Sequence, residues 1–450
     1  MILQHAPKNY SPEPTELLLI GKQKSGSRCF DTSSAVSKDR QIQVLLCGCG
    51  NAVHVLASYL GQHQSDDPSR ALTFKVNILS LSHADRFTKS LSLDGYIRCI
   101  NVGGKDTLGR ADLVTDDPSL AVPGCSVILF ALPADRHEVY LRAMVPYIKA
   151  GTTIGSMPGE SGFDLCVRDV LGPVLTDTCT LFSLETLPWA CRIKTFGRVV
   201  EVLGTKKVVD LCVHPSRQCR TVQKLVQSML GTLPVVETTP TSNFLGSTIM
   251  NPNAIAHPAI MYGLLRHWDG KTPFDEPPLF YQALDKFTAD VMANVSNEIM
   301  QIKKTILKFF PSVDLNVVRP IGEFFEEAYG EDIADHSSLE RMFNTNKAYD
   351  GLTMPTQKTD SGRYLPLFDH RYLSEDLPCG LVVQKGIAEL VGVSTPSMNR
   401  VIYWSQAHCI PPKEYLVKGK LTGKDVASTK APQRYGFQDL ATFMKVNKYV

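Results

Sequence analysis

The stretch that most constrains this chain runs from residue 42 to residue 57, IQVLLCGCGNAVHVLA. An uncharged run rich in Val and Leu reads as a strand buried on both faces, and Gly48 and Gly50 end it in a tight turn. Ala52, Val53, Val55 and Leu56 follow at helical spacing. Strand, glycine turn and helix, in that order, open a βαβ unit. Gly48 permits the turn, and Gly50 lets an anion approach the main chain, where a helix N-terminus offers free N–H groups and partial positive charge. Val53 stands where the G-x-G-x-x-G pattern has its third glycine. A buried strand also ends in such a turn without any ligand, so these residues alone leave both readings open.

The residues that follow favour a nucleotide. Apolar runs at 76–81, 96–102, 126–132 and 152–157 are separated by helix-length stretches such as 136–150. That alternation predicts an α/β fold with a mostly parallel sheet covered on both faces. A ligand then lies outside the carboxyl ends of the strands, where Gly48, Cys49, Gly50, Asn51 and Ala52 fall together with Ala131, Leu132 and Pro133. The second strand ends in Ser80, Leu81, Ser82 and His83, with no acidic residue to hold a ribose. Asp85 suits a ribose hydroxyl and Arg86 a 2′-phosphate, although either one alone reads more simply as a solvated helix start. Residues 180–185, 198–203 and 207–212 alternate as antiparallel strands do. Pro188 makes residues 185–192 a loop at a sheet end, with Trp189 packed inward.

After a Thr/Pro/Ser-rich passage at 238–242 the pattern turns helical. Its clearest case is 281–309, where Leu284, Phe287, Val291, Val295, Ile299, Ile302 and Ile306 recur along one face before Pro311. Further helices are expected at 318–329, 339–347, 386–391, 397–406 and 423–428. At 450 residues the chain is long for one core and comfortable for two. We expect a flexible N-terminal extension at 1–40, a dinucleotide-binding domain at 41–242, a helical domain at 243–450, and a cleft between the last two.

Composition excludes some classes of function. With a formal net charge of +2 and 20% charged residues, the chain has no electrostatic case for nucleic acid or an anionic membrane. No apolar run reaches the roughly 18 residues that a spanning helix needs, and the start lacks a signal-peptide core, so the expected location is cytoplasmic. The 12 cysteines are scattered, and neither the Cys47/Cys49 pair nor the Cys212/Cys219 pair has metal-ligand spacing. Reduced thiols and no metal site are expected.

Two passages in the second half carry chemistry. His257 sits among small apolar residues at 253–260, where a lone histidine is more often a core residue bonded to a carbonyl. Residues 369–378, DHRYLSEDLP, are dense in groups that bind and orient anions. Together they hold what reduction of a 2-keto acid or an imine requires. Arg371 offers a bidentate grip on a carboxylate, His257 a proton near working pH, and Asp376 a partner to fix the imidazole tautomer.

Over residues 42–450 the chain resembles the opine dehydrogenases of the octopine dehydrogenase type known from marine invertebrates. The passages that carry the likeness include LLCGCGNAVH, SLETLPWACRIKTFGR, AHPAI, PLFYQ, NKAYDGL, RYLSEDLP, EYLVKGKLTGKDVA and PQRYGF. The resemblance implies an N-terminal Rossmann-type dinucleotide-binding domain plus a C-terminal all-helical domain that closes over it. It implies NADH-dependent condensation of pyruvate with the amino group of an amino acid, NADP being the second choice, in a monomer. His257 and Asp376 take the family's acid/base pair, Arg371 its substrate arginine, and Glu185, Thr186 and Cys191 the amino-acid side of the cleft.

Departures bear on the amino acid. Glu160 stands where an uncharged amide is expected, and Phe324 where arginine-using members tend to have tryptophan. Glu185 suits a guanidinium, yet the ETLPWAC passage also occurs in relatives that take alanine, glycine or taurine. Two alternatives remain: a 2-keto acid reductase that uses the same His, Asp and Arg without an amine, and a non-catalytic redox-sensing Rossmann protein, whose signature would be loss of that catalytic set.

Overall fold

The computed structural model describes residues 41–62, 72–91 and 94–450. The expected extension at 1–40 lies outside the described residues. The first half carries strands β1 (Gln41–Cys47), β2 (Thr73–Leu79), β3 (Ile97–Ile100), β4 (Thr107–Gly109), β5 (Leu113–Thr115) and β6 (Val127–Phe130). It continues with β7 (Thr153–Ser156), β8 (Thr180–Leu184), β9 (Trp189–Thr195), β10 (Val199–Thr205), β11 (Val208–His214) and β12 (Val235–Glu237).

Eight of these strands form one sheet in the order β12-β11-β8-β7-β6-β1-β2-β5. Six run parallel, from β8 across to β5, so their carboxyl ends share one edge. β6 is VILF with every residue buried, the wholly apolar pattern of a strand covered on both faces. Gly48, Ala131, Met157 and Glu185 each leave the sheet at that shared edge.

Two expectations from the apolar runs are corrected. The run at 96–102 does not join the parallel sheet: β3 pairs with β4 and β10 in a second sheet, β4-β3-β10-β9. This sheet covers the helix Asn51–Leu60, with Trp189 set edge-on to Tyr59 at 5.5 Å. The three stretches expected as one antiparallel set are divided between the sheets. β8 and β11 are antiparallel neighbours, Leu184 opposite Leu211, while β10 pairs with β9. The loop expected at 185–192 is confined to 185–188, since Trp189 already starts β9. Pro188 lets the chain leave the main sheet, form the β9–β10 hairpin, and return as β11.

The second half is helical, with one short antiparallel ladder of β13 (Thr356–Lys358) and β14 (Tyr364–Pro366). Its long helix begins at Lys286 and not at 281, because Asp285 is the N-cap: its Oδ1 accepts from the Thr288 N–H at 2.8 Å. Residues 423–428 form only the turn Val426–Ser428, and the Gly423 N–H bonds the Tyr415 carbonyl at 3.1 Å. Phe163 stacks on Phe244 at 6.4 Å, which joins the two halves through one apolar core. Among the described residues no helix is long and apolar enough to cross a membrane.

Candidate active site

The glycine turn is shaped by its neighbours. Gly48 has φ +108°, and a Cβ there would stand 3.0 Å from Leu132 Cβ and 3.2 Å from the Ala131 carbonyl, so the turn and the loop after β6 touch. A Cβ on Gly50 would meet nothing within 4 Å. Gly50 caps the helix Asn51–Leu60 with no side-chain acceptor, which leaves its first N–H groups open to an anion. His54 holds the turn from beneath. Its Nδ1 lies 2.8 Å from the Gly50 carbonyl, and its Nε2 accepts from the Gly197 N–H at 2.8 Å. Burial lowers its pKa, so a neutral ring with the proton on Nδ1 satisfies both bonds. A dinucleotide pyrophosphate fits this open, uncapped turn.

The other expected cofactor residues differ in how they are used. The Asn51 side chain accepts from the Ile193 N–H at 2.9 Å and ties the helix to β9. Cys49 Sγ receives the Ser80 hydroxyl at 3.4 Å, which closes the turn against the end of β2. Ala52 is buried, Ala131 is buried, and Pro133 is exposed. Arg86 is exposed and lies over the Phe196 ring at 4.4 Å, while Asp85 pairs with Lys89 at 2.9 Å.

Opposite the turn stand the helix Pro252–Leu265, capped by Asn251, and the segment around Asp376. Glu375 caps the end of the short helix Arg371–Ser374, and Asp376 opens the π-helical turn Leu377–Leu381. Such turns aim side chains that a regular helix would not. Asp376 Oδ2 accepts from His257 Nδ1 at 2.7 Å, and both residues are buried. Tyr281 OH lies 2.8 Å from His257 Nε2, and Tyr372 stacks on the imidazole at 4.0 Å. Burial holds the Tyr281 phenol well above its ordinary pKa, so it keeps its proton.

Arg371 stands beside this pair. Its Nε meets Glu375 Oε2 at 3.0 Å, and its two terminal nitrogens have no partner among the described residues. That leaves a free planar fork. Burial opposes its charge, but Glu375, Asp376 and Glu160 outweigh it and raise the pKa. Glu375 Oε1 also accepts from the Ala134 N–H at 2.9 Å, which ties this cluster directly to the loop after β6. Glu160 is 2% exposed and accepts from Asn251 Nδ2 at 2.7 Å through Oε2, while Oε1 has no partner. Burial first, and then Glu375 and Asp376, push its carboxyl up to about 8.

Glu185 and Thr186 are buried at the end of β8. Burial and Asp210 push Glu185 up to about 7 against the pull of Arg319. Cys191 is buried in the apolar core under the second sheet, and burial raises its thiol to about 11. Among the described residues no cluster of His, Cys, Asp or Glu could hold a metal ion.

Against known proteins, residues 240–409 match the family described as NAD/NADP octopine/nopaline dehydrogenase, alpha-helical domain. The chain is 39% identical over 411 residues to tauropine dehydrogenase of Arabella iricolor, covering 90% of this chain and 100% of that one. It is 40% identical over 412 residues to octopine dehydrogenase of Pecten maximus, with the same coverage. A solved structure of octopine dehydrogenase with NADH and L-arginine superposes with a TM-score of 0.78 at 38% identity, covering 89% of this chain and 97% of that one.

The chain belongs to the opine dehydrogenase family. As an NAD-dependent oxidoreductase of that family it has a Rossmann-like first half and a helical second half. Tauropine and octopine dehydrogenases are matched at 39% and 40% identity, so likeness by itself does not choose the amino acid. Several residues of this opine dehydrogenase were not singled out by the sequence reading: Tyr281, Tyr372, Asn251, Glu375 and Arg319. PLFYQ and RYLSEDLP contain Tyr281, Tyr372 and Glu375, so the signal for those three was present as passages without roles. Asn251 and Arg319 gave none, since a cap and a buried ion pair depend on what the fold brings close.

Proposed function

We propose that the protein is a cytoplasmic, monomeric opine dehydrogenase, with a dinucleotide-binding domain at 41–242 and a substrate domain at 243–450. It condenses pyruvate with the amino group of an amino acid, using NADH and regenerating NAD. The observation that carries this reading is the chain of contacts from Gly48 through Leu132 and Ala134 to Glu375, and from there to Asp376 and His257. The reading is supported by the nearness of the His257–Asp376 pair and the Arg371 guanidinium to the carboxyl edge of the sheet.

Gly48, Cys49, Gly50, Asn51 and Ala52, with Ala131, Leu132 and Pro133, hold the dinucleotide, and Arg86 stands near its adenosine end. Arg371 grips the pyruvate carboxylate through its two free nitrogens. Asp376 holds the His257 proton on Nδ1 and leaves Nε2 as the working atom, with Tyr281 donating to it until substrate arrives. Nε2 takes a proton from the substrate ammonium, whose nitrogen then attacks the keto carbon. The same proton returns to the oxygen, which leaves as water with the second proton from nitrogen and gives an iminium. NADH, when bound, supplies the hydride that reduces this carbon to the secondary amine. Glu160, whose carboxyl is pushed up to about 8 by burial and by Glu375 and Asp376, serves where an amide would stand, and Glu185, Thr186 and Cys191 form the amino-acid side.

The test is NADH oxidation with pyruvate, with and without an amino acid. Turnover is expected only when both are present. Undiminished turnover of pyruvate alone would make the protein a keto acid reductase.

A further inference from the structure

Arg319 precedes the helix Ile321–Tyr329 and reaches into the first half, with its side chain 13% exposed. Its Nη2 faces both Glu185 oxygens at 3.3 and 3.4 Å, its Nη1 meets Asp210 at 3.0 Å, and its Nε meets Glu327 at 2.8 Å. The guanidinium also lies over the Phe324 ring at 5.4 Å. Arg319 thus holds what a guanidinium ligand would seek, a buried carboxylate and an aromatic face.

Ring contacts link this corner to the proton site. Phe324 touches Phe325 at 5.3 Å, Phe325 faces Tyr349 at 6.5 Å, and Tyr349 stacks on Tyr281 at 4.1 Å. Tyr281 in turn bonds His257. These packed, largely buried rings lead from His257 to a carboxylate already paired with a cation. Lys206 adds a second one, its Nζ bonded to the Leu187 carbonyl at 3.1 Å and set over the Tyr329 ring.

We infer that Arg319 is a built-in guanidinium that fills the acidic corner of the amino-acid side, so that the enzyme takes small amino acids without a cationic side chain and rejects arginine. This rests on the reading of Glu185 and Thr186 as the amino-acid side. An arginine substrate would have to displace Arg319 or lie beside it, like charge beside like charge, in a corner where Glu185, Asp210 and Glu327 already bond the resident guanidinium. A small neutral side chain stops short of the corner.

The experiment is kcat/KM with pyruvate and NADH for alanine, glycine, taurine and arginine, in the wild type and in Arg319→Ala. The wild type is expected to favour one of the three small amines over arginine by at least about tenfold. In R319A, Glu185 and Asp210 lose their cation, and the ratio of arginine to the favoured small amine is expected to rise at least about tenfold. Arg319→Gln, which keeps a donor toward Glu185 without the charge, carries the same expectation should R319A not fold. A wild type that prefers arginine, or variants that lose activity on all amines in equal proportion, would overturn the assignment and leave Arg319 a structural ion pair. No condensation with any amine in the wild type would instead sink the opine reading itself.

Discussion

The two sides of the proposed active site are built from different materials. The cofactor side is backbone: two glycines, an uncapped helix end and the main chain at Ala131, all neutral and mostly contiguous in sequence. The opposite side is charge: His257, Glu160, Glu375 and Asp376, buried together, with the exposed Arg371 beside them, all drawn from three segments. A pyrophosphate needs only N–H groups and room, which a short motif supplies. Moving protons needs groups whose charge the surroundings control, and that takes convergence of distant segments.

That contrast can be broken first at its charged side. His257→Ala is expected to lower kcat by roughly 10²- to 10⁴-fold while the Kd for NADH stays close to wild type, measured by steady-state kinetics and fluorescence titration. Equal losses in both would erase the distinction between the two sides. Arg371→Lys keeps the charge but removes the fork, and kcat/KM for pyruvate should fall about tenfold to a hundredfold.

On the backbone side, paired substitutions sharpen the contrast. Gly48→Ala places a Cβ 3.0 Å from Leu132 at a φ that favours glycine, so it should cost about 1–3 kcal/mol and lower Tm by several degrees. Gly50→Ala meets no protein atom and should leave Tm almost unchanged while raising KM for NADH a few-fold. An unchanged KM would show that nothing approaches Gly50.

A test of a different kind concerns Glu160. Its pKa is raised on folding, to about 8, so the folded state holds a proton that the unfolded chain has lost. Its contribution to stability is therefore complete below the ordinary carboxylate range and is lost as pH climbs toward about 8. Glu160→Gln has no such loss, and the Tm difference between variant and wild type should widen in the variant's favour from pH 5 to pH 9. A constant difference would mean that Glu160 is ionised throughout.

Legibility in the sequence follows the same division. The strand, turn and helix at 42–57 were readable because buried strands and glycine turns are local facts. The second sheet was not, since the 96–102 run has the apolar content of a central strand and only its pairing with β10 places it elsewhere. His257, Arg371 and Asp376 were candidates from residue type and family likeness, but their contacts were not readable. Asp376 lies 119 residues from His257, and a π-helical turn aims it. Glu160 looked out of place as a charged residue, and only its burial beside Glu375 and Asp376 explains how a carboxyl stands where an amide was expected.

The most direct measurement follows the hydride. With NADH deuterated at the transferred position of C4, pyruvate and alanine, the expected product is an N-(1-carboxyethyl) amino acid carrying one deuterium on the former keto carbon, seen by mass spectrometry. Deuterium appearing in lactate, at a rate indifferent to alanine, would contradict it.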